Sequence, residues 1–423
     1  MTKIPDFFRV RQSFERPQVV DIAVEVETQL ASLRLGRTVK SGETVAISAG
    51  SRGIANIAVI IKAIADHVRS IGGQPWIIPA MGSHGGATAE GQRAILEGYG
   101  ITEEYCGCPI QASMETVVVT AAAEGFDVHF DRHAFEANHV IVCGRVKPHT
   151  GFTGDIESGL MKMMLIGLGK SAGAEIYHRA IKDYSFGQIV RSVAREVLAK
   201  CNVIAGVAIV ENAFDETAVI EAVAPNEIEE REKELLREAK RLMPQLPFPA
   251  ADLLVVDRIG KNISGSGLDT NIVGRKYLDH RAAEDEYPKI RNIAIRGLTP
   301  ESKGNAVGIG LVEFCRSQLV RDMDRQSTFI NCIIGGHVTG GMIPIDFETD
   351  CEMVTTALSV IGLTDPVDAK VLWISDTLHV AELECSGAYF EAALQRDDLE
   401  ILEQPRPIPF NADGNWADLA RSK

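Results

Sequence analysis

Apolar and polar positions along this chain alternate between two kinds of run. Residues 44–48 (T-V-A-I-S) are short and almost wholly apolar, as in a strand buried on both faces. A glycine-containing loop, 49–53, follows. Residues 54–71 then place Ile57, Ile60, Ile61, Ile64 and Val68 at helical spacing, and Gly72-Gly73 ends the run. Residues 75–79 (P-W-I-I-P) read as the next strand, 80–87 as a glycine-rich loop, and 88–99 as a helix capped by Thr88. The pattern continues with strands at 139–143 and 203–210, helices at 172–182 and 186–200 between them, and a charged helix at 227–242. Strand and helix in alternation predict a parallel sheet with right-handed crossovers.

Residues 243–252 (M-P-Q-L-P-F-P-A-A-D) carry three prolines and read as a linker. Strands then restart at 253–256, 292–295 and 370–374, with a loop at 257–267. The chain is therefore expected to be an α/β protein of two α/β domains with parallel-type sheets. Residues 1–247 are expected to form the N-terminal cofactor-binding and catalytic domain. Residues 248–423 are expected to form the C-terminal domain closing a substrate cleft between the two.

Composition narrows the function. The 423 residues are 45% hydrophobic and 24% charged, ordinary for a globular protein, with a formal net charge of -15. No lysine–arginine cluster offsets that charge, so a nucleic-acid partner is excluded and a small molecule is expected. No leader-like segment opens the chain and no apolar run is long enough for a membrane span, which predicts a cytoplasmic protein without a membrane partner. The eight cysteines are scattered; Cys106 and Cys108 form C-x-C, with no second pair to complete a zinc site. Association into an oligomer is left open.

The candidate chemistry lies on strand-end loops. In open parallel sheets ligands bind beyond the carboxyl ends of the strands. The strand at 44–48 delivers Arg52, that at 75–79 delivers His84 in M-G-S-H-G-G, and that at 139–143 delivers Lys147 and His149. These loops are expected to meet on one rim. Arginine there offers a planar fork for a carboxylate. From Gly144 to His178 the sequence G-R-V-K-P-H-T-G-F-T-G-D-I-E-S-G-L-M-K-M-M-L-I-G-L-G-K-S-A-G-A-E-I-Y-H sets His149, Lys162, Lys170 and His178 among seven glycines. Clustered glycines point to a backbone approached closely, here by a cofactor, metal or substrate. His67, His129, His133, His139, His280, His337 and His379 read as core or surface residues.

At Arg52, His84, His149, Lys162 and His178 the chain resembles the nickel-pincer-nucleotide-dependent lactate racemase family. The order of these residues and the P-H-x-G-F-x-G stretch carry the resemblance, which is strongest over the N-terminal domain. It implies a racemase or epimerase of a 2-hydroxy acid. Lys162 would tether the pyridinium-3-thioamide-5-thiocarboxylic acid mononucleotide, His178 would be a protein ligand of its nickel, His84 and His149 the acid/base pair, and Arg52 the substrate-orienting residue. Inversion at such a carbon requires a hydride acceptor that no side chain supplies and one base per face.

The chain also departs from the family. Ala49 stands where an aspartate is common, Lys162 lies in S-G-L-M-K-M-M rather than G-G-x-K, and the stretch from His149 to Lys162 is longer. In the second domain the family's substrate-binding glutamine is absent, and Arg275 or Lys276 is expected to replace its lysine. A 2-hydroxy acid larger or more polar than lactate is therefore expected. Two other readings remain open at this level: a divalent-metal hydrolase or lyase using His84, His149 and His178, and a non-catalytic binder of a phosphorylated metabolite.

Overall fold

A computed structural model describes residues 4–51 and 53–419. The chain divides into two compact units, residues 15–243 and residues up to 14 together with those from 244 onward. Both are α/β. No helix among the described residues is long and apolar enough to cross a membrane.

The unit of residues 15–243 is built on a five-stranded sheet in the order Gln74–Pro79, Thr44–Ala49, His139–Arg145, Val203–Glu211, Thr217–Val223. The first four strands run parallel and the last is antiparallel. Alternate side chains of each strand enter different layers. Val45, Ile47 and Ala49 join Val26, Leu30, Ile57, Ile60 and Ile64 on one side. Ala46, Val140 and Val142 join Ile189, Val193 and Leu235 on the other. Burial on both sides explains why these strands read as unbroken apolar runs. Helix Ile57–Ser70 buries Ile60, Ile61 and Ile64 completely, each worth roughly 1.5–3 kcal/mol. Helix Ala89–Gly98 starts where Thr88 accepts from the Gly91 N–H at 3.0 Å.

The other unit holds an eight-stranded sheet: Ile345–Phe347, Phe314–Arg316, Lys289–Ile295, Ala250–Val256, Val371–Ile374, Glu382–Ser386, Phe7–Gln12, Leu399–Arg406. The first five are parallel and the remaining pairings antiparallel. Phe7 packs edge-on to Trp373 and Trp416 in its core. The sequence reading grouped residues 1–247 together. The structure gives residues up to 14 and residues 244–247 to this second unit instead. The reason lies in F-F-R-V-R-Q: Phe8 and Val10 are buried while Arg9 and Arg11 pair with Glu382, so the strand fits between two others of that sheet.

Candidate active site

Three loops leave the carboxyl ends of the adjacent strands Gln74–Pro79, Thr44–Ala49 and His139–Arg145, and so begin side by side on one rim. Arg52, in the central loop, lies outside the described residues. Its neighbours are tied down. The Tyr99 hydroxyl donates to the Ser51 carbonyl at 2.5 Å, Arg145 donates to the Gly53 carbonyl at 3.3 Å, and the Ala55 N–H donates to Glu211 at 2.6 Å. Arg145 also ion-pairs with Glu211.

His84 is exposed on the loop beyond Gln74–Pro79, and its Nδ1 shares a hydrogen bond with the Ser51 hydroxyl. Where Nδ1–H is the donor, Nε2 is left as a proton acceptor. Behind the loop, the buried Gln92 amide donates to the carbonyls of Gly82 at 2.8 Å and His84 at 3.3 Å.

His149 is held differently. The N–H groups of Gly151 and Phe152 both donate to its Nδ1 at 3.0 Å, which puts the proton of the neutral ring on Nε2. Its own N–H donates to the buried carboxylate of Glu157 at 2.9 Å, and Lys240 pairs with that carboxylate at 2.7 Å. The imidazole stacks on Phe152 at 4.1 Å between centroids, and Phe152 stacks on Phe186 at the same spacing. The Lys162 amine lies 5.2 Å from the Phe152 centroid. Lys147, partly buried, precedes this loop, and its N–H donates to the Ser158 carbonyl at 3.2 Å.

Lys162 and His178 are brought together by a corner. Sixteen residues of one straight helix would separate them by about 24 Å. Instead Leu160–Lys162 continues into a π-helical turn, Met163–Gly167, and helix Lys170–Ala180 then sets off in a new direction. Lys170 makes the corner with a left-handed φ of +53°. Burial lowers the pKa of His178 below the usual imidazole value, and the nearby Lys162 and Lys182 ammonium groups lower it further. The ring is thus neutral near pH 7, the form that ligates a metal. Met163, next to Lys162, reaches the central loop: its Cε is 3.5 Å from where a Cβ on Gly50 would stand.

A pincer nucleotide needs one amine for its tether and one neutral imidazole for its metal, and Lys162 with His178 match that donor set. Among the described residues no three His, Cys, Asp or Glu side chains converge to hold a metal ion. Two of the glycines have a different cause from the one expected. A Cβ on Gly144 would lie 2.7 Å from Met163 Cγ, and one on Gly159 would lie 2.6 Å from the carboxyl carbon of Glu232. At these positions the protein's own side chains make the close approach.

Glu232 accepts the Met161 N–H at 3.0 Å, at the start of the turn that carries Lys162. It is 1% exposed, and burial pushes its carboxyl up to about 7 from an ordinary 4.5, against the pull of the Met161 and Leu160 N–H groups. A carboxyl raised on folding stabilises fully below pH 4.5, and that contribution is lost as pH rises to about 7. The loss comes to about 3 kcal/mol at 1.36 kcal/mol per pKa unit. Glu232→Gln should therefore gain on wild type by most of this amount between pH 4.5 and 7.5 in urea denaturation. Parallel stability curves for the two proteins would show that Glu232 does not titrate in this range.

Residues 10–186 match the family model of the lactate racemase N-terminal domain. Over these residues the chain is similar to lactate racemase N-terminal domains. Its fold is similar to that of the lactate racemase apoprotein from Thermoanaerobacterium thermosaccharolyticum, with a TM-score of 0.51 at 12% identity over 87% of this chain and 94% of that one. A structural-genomics structure of a Thermotoga maritima protein gives a TM-score of 0.48 at 11% identity, over 78% and 84% of the two chains. Comparison with curated proteins finds no match.

The second unit treats its two expected substrate residues differently. Arg275 is 1% exposed; its guanidinium pairs with Glu313 at 2.9 Å and donates to the Asp279 carbonyl at 3.0 Å, so it is committed to the fold. Lys276 is partly exposed, and its N–H donates to Glu286. The rim of this unit's parallel strands carries other polar residues. Lys261 follows Ala250–Val256, and its amine donates to the Gly265 carbonyl at 2.7 Å. After Val371–Ile374, the buried Asp376 accepts from His379 Nδ1 at 2.8 Å. Sequence reasoning set His379 aside as core or surface.

Proposed function

We propose that this chain is an isomerase that racemises or epimerises a 2-hydroxy acid and carries a nickel-pincer nucleotide on Lys162. One juxtaposition carries the reading: a primary amine beside an imidazole, His178, that burial and neighbouring lysines keep neutral. The lactate racemase N-terminal domain match supports the racemase class. When bound, the nucleotide supplies the hydride-accepting centre that the side chains lack. Lys162 would hold it covalently and His178 would ligate its nickel.

The chain's own groups divide the remaining work. His84, with Nδ1 shared with Ser51, presents Nε2 to take the proton of the substrate hydroxyl. His149 begins as a donor, its Nε2–H directed at an oxygen of the substrate. Acting as the base for the opposite enantiomer requires the 149–152 loop to release Nδ1. Arg52, by its place after the Thr44–Ala49 strand, would orient the carboxylate, with Lys147 adding positive charge at the rim. Arg275 is not retained in this role, because Glu313 and backbone carbonyls enclose its guanidinium. A metal hydrolase would need His84, His149 and His178 to converge, and no such set exists among the described residues.

The test is intact mass with metal analysis of protein produced alongside the cofactor pathway, followed by racemisation assays on a panel of 2-hydroxy acids. Wild type is expected to carry the adduct and stoichiometric nickel. His178→Ala should keep the adduct and lose nickel on gel filtration. Full nickel retention by that variant would remove His178 from the ligand set. Turnover fastest on lactate would overturn the expectation of a larger or more polar substrate.

A further inference from the structure

We propose that Lys170 is a positioning residue that sets the His84 loop against the His178 helix, acting through Gln92 and Asp131. The side chains of Lys170 and Asp131 are completely buried, and Gln92 is 0% exposed. The Lys170 amine donates to the Pro79 carbonyl and to Gln92 Oε1 at 3.2 Å, and ion-pairs with Asp131 at 3.0 Å. Pro79 is the last residue of the strand that delivers His84. Gln92 turns its amide onto the Gly82 and His84 carbonyls, so one lysine reaches the loop by two routes. Asp131 ends the strand Asp127–Asp131 and also accepts the Ala134 N–H at 2.9 Å, which anchors the third corner.

The backbone of Lys170 is part of the device. A residue with a side chain seldom adopts a left-handed φ, and here it does so at the corner that aims His178 toward Lys162. Three buried partners hold the amine, and holding the amine holds the corner. Contact across the seam is already close. The Gly82 N–H donates to the Gly167 carbonyl at 3.3 Å, and a Cβ on Gly82 would meet Ile166 at 3.1 Å. A change at Lys170 should therefore move both the loop and the helix, whereas a change at Gln92 should move the loop alone.

This inference rests on the roles proposed for His84 and His178, but its primary test does not. Apo protein is followed by amide hydrogen exchange over residues 80–88 and 170–180, and by diethyl pyrocarbonate modification of each histidine, located by peptide mass spectrometry. Gln92→Met introduces no charge and keeps the Lys170–Asp131 pair. It is expected to raise exchange in 80–88 and the modification rate of His84 several-fold, leaving 170–180 and His178 as in wild type. Lys170→Met is expected to raise both segments and both histidines together. Unchanged exchange in 80–88 in Gln92→Met would overturn the proposal even if Lys170→Met does not fold. So would a Lys170→Met protein perturbed only at 170–180.

On cofactor-loaded protein, Gln92→Met is expected to lower kcat about 10-fold or more with KM within 2-fold. An unchanged kcat alongside a mobile loop would also overturn the positioning role. If wild-type protein takes up no cofactor, the proposed function fails while the exchange result still decides the coupling.

Discussion

Lys162→Ala protein, produced in cells that also make the pincer nucleotide, is expected to keep the mass of its polypeptide alone, to hold no nickel above background and to racemise at the uncatalysed rate. The tether is covalent, so removing its amine removes the attachment itself, a larger effect than losing one of several metal ligands. Folding should survive. Lys162 is partly exposed, and its cation–π contact with Phe152 is worth about 0.5–1 kcal/mol. A circular dichroism melt near that of apo wild type would separate lost chemistry from lost structure. Equal cofactor loading in wild type and Lys162→Ala would rule out the tether.

His84→Ala and His149→Ala are each expected to slow racemisation in both directions by about 10²–10⁴-fold, the range of one positioned acid/base group. Either base is needed at one end of the reaction whichever enantiomer enters. A single turnover is more discriminating. Each variant should still release keto acid from the one enantiomer whose hydroxyl faces the remaining histidine, and the two variants should differ in which enantiomer that is. Near-wild-type racemisation by both would show that two-base chemistry is wrong for this chain. The asymmetry of the described rings adds a detail: His149 gives its Nδ1 to two backbone N–H groups, whereas His84 gives its Nδ1 to a serine hydroxyl. The reaction that begins with His149 as base should therefore be the slower half.

The strands at 44–48, 75–79, 139–143 and 203–210 and the helices at 54–71 and 88–99 were legible because each satisfies one period, whereas the strand Thr217–Val223 and the helix Ile22–Ser32 were not read. Residues 75–79 lie within Gln74–Pro79, and the alternation of Val45, Ala46 and Ile47 between two apolar layers leaves no polar position to confuse the reading. The rim followed from topology, which is why the loops that carry Ser51 and His84 could be expected to meet although the two residues are 33 positions apart. The corner at Lys170 was not legible. No sequence rule sends a lysine to a left-handed φ, and its cause is three buried partners from distant segments. Arg275 was misread for a related reason. Its charge suggested a ligand, while Glu313, which takes up that charge, is 38 residues away in sequence. The glycines at 144 and 159 marked close approach correctly, but spacing alone does not say whether a ligand or a side chain approaches.

The strand Phe7–Gln12 makes the gene's architecture an insertion. It lies between Glu382–Ser386 and Leu399–Arg406, and Arg9 reaches Glu382 across 373 positions of chain. During synthesis this strand precedes its partners by the whole of the intervening chain. Residues 15–243, by contrast, are contiguous and can close their sheet while the rest is still being made. A fragment begun at residue 244 would lack an interior strand and expose two unpaired edges, a recognised route to aggregation. The chain is thus best divided for expression by lifting out its middle, with the two ends kept joined.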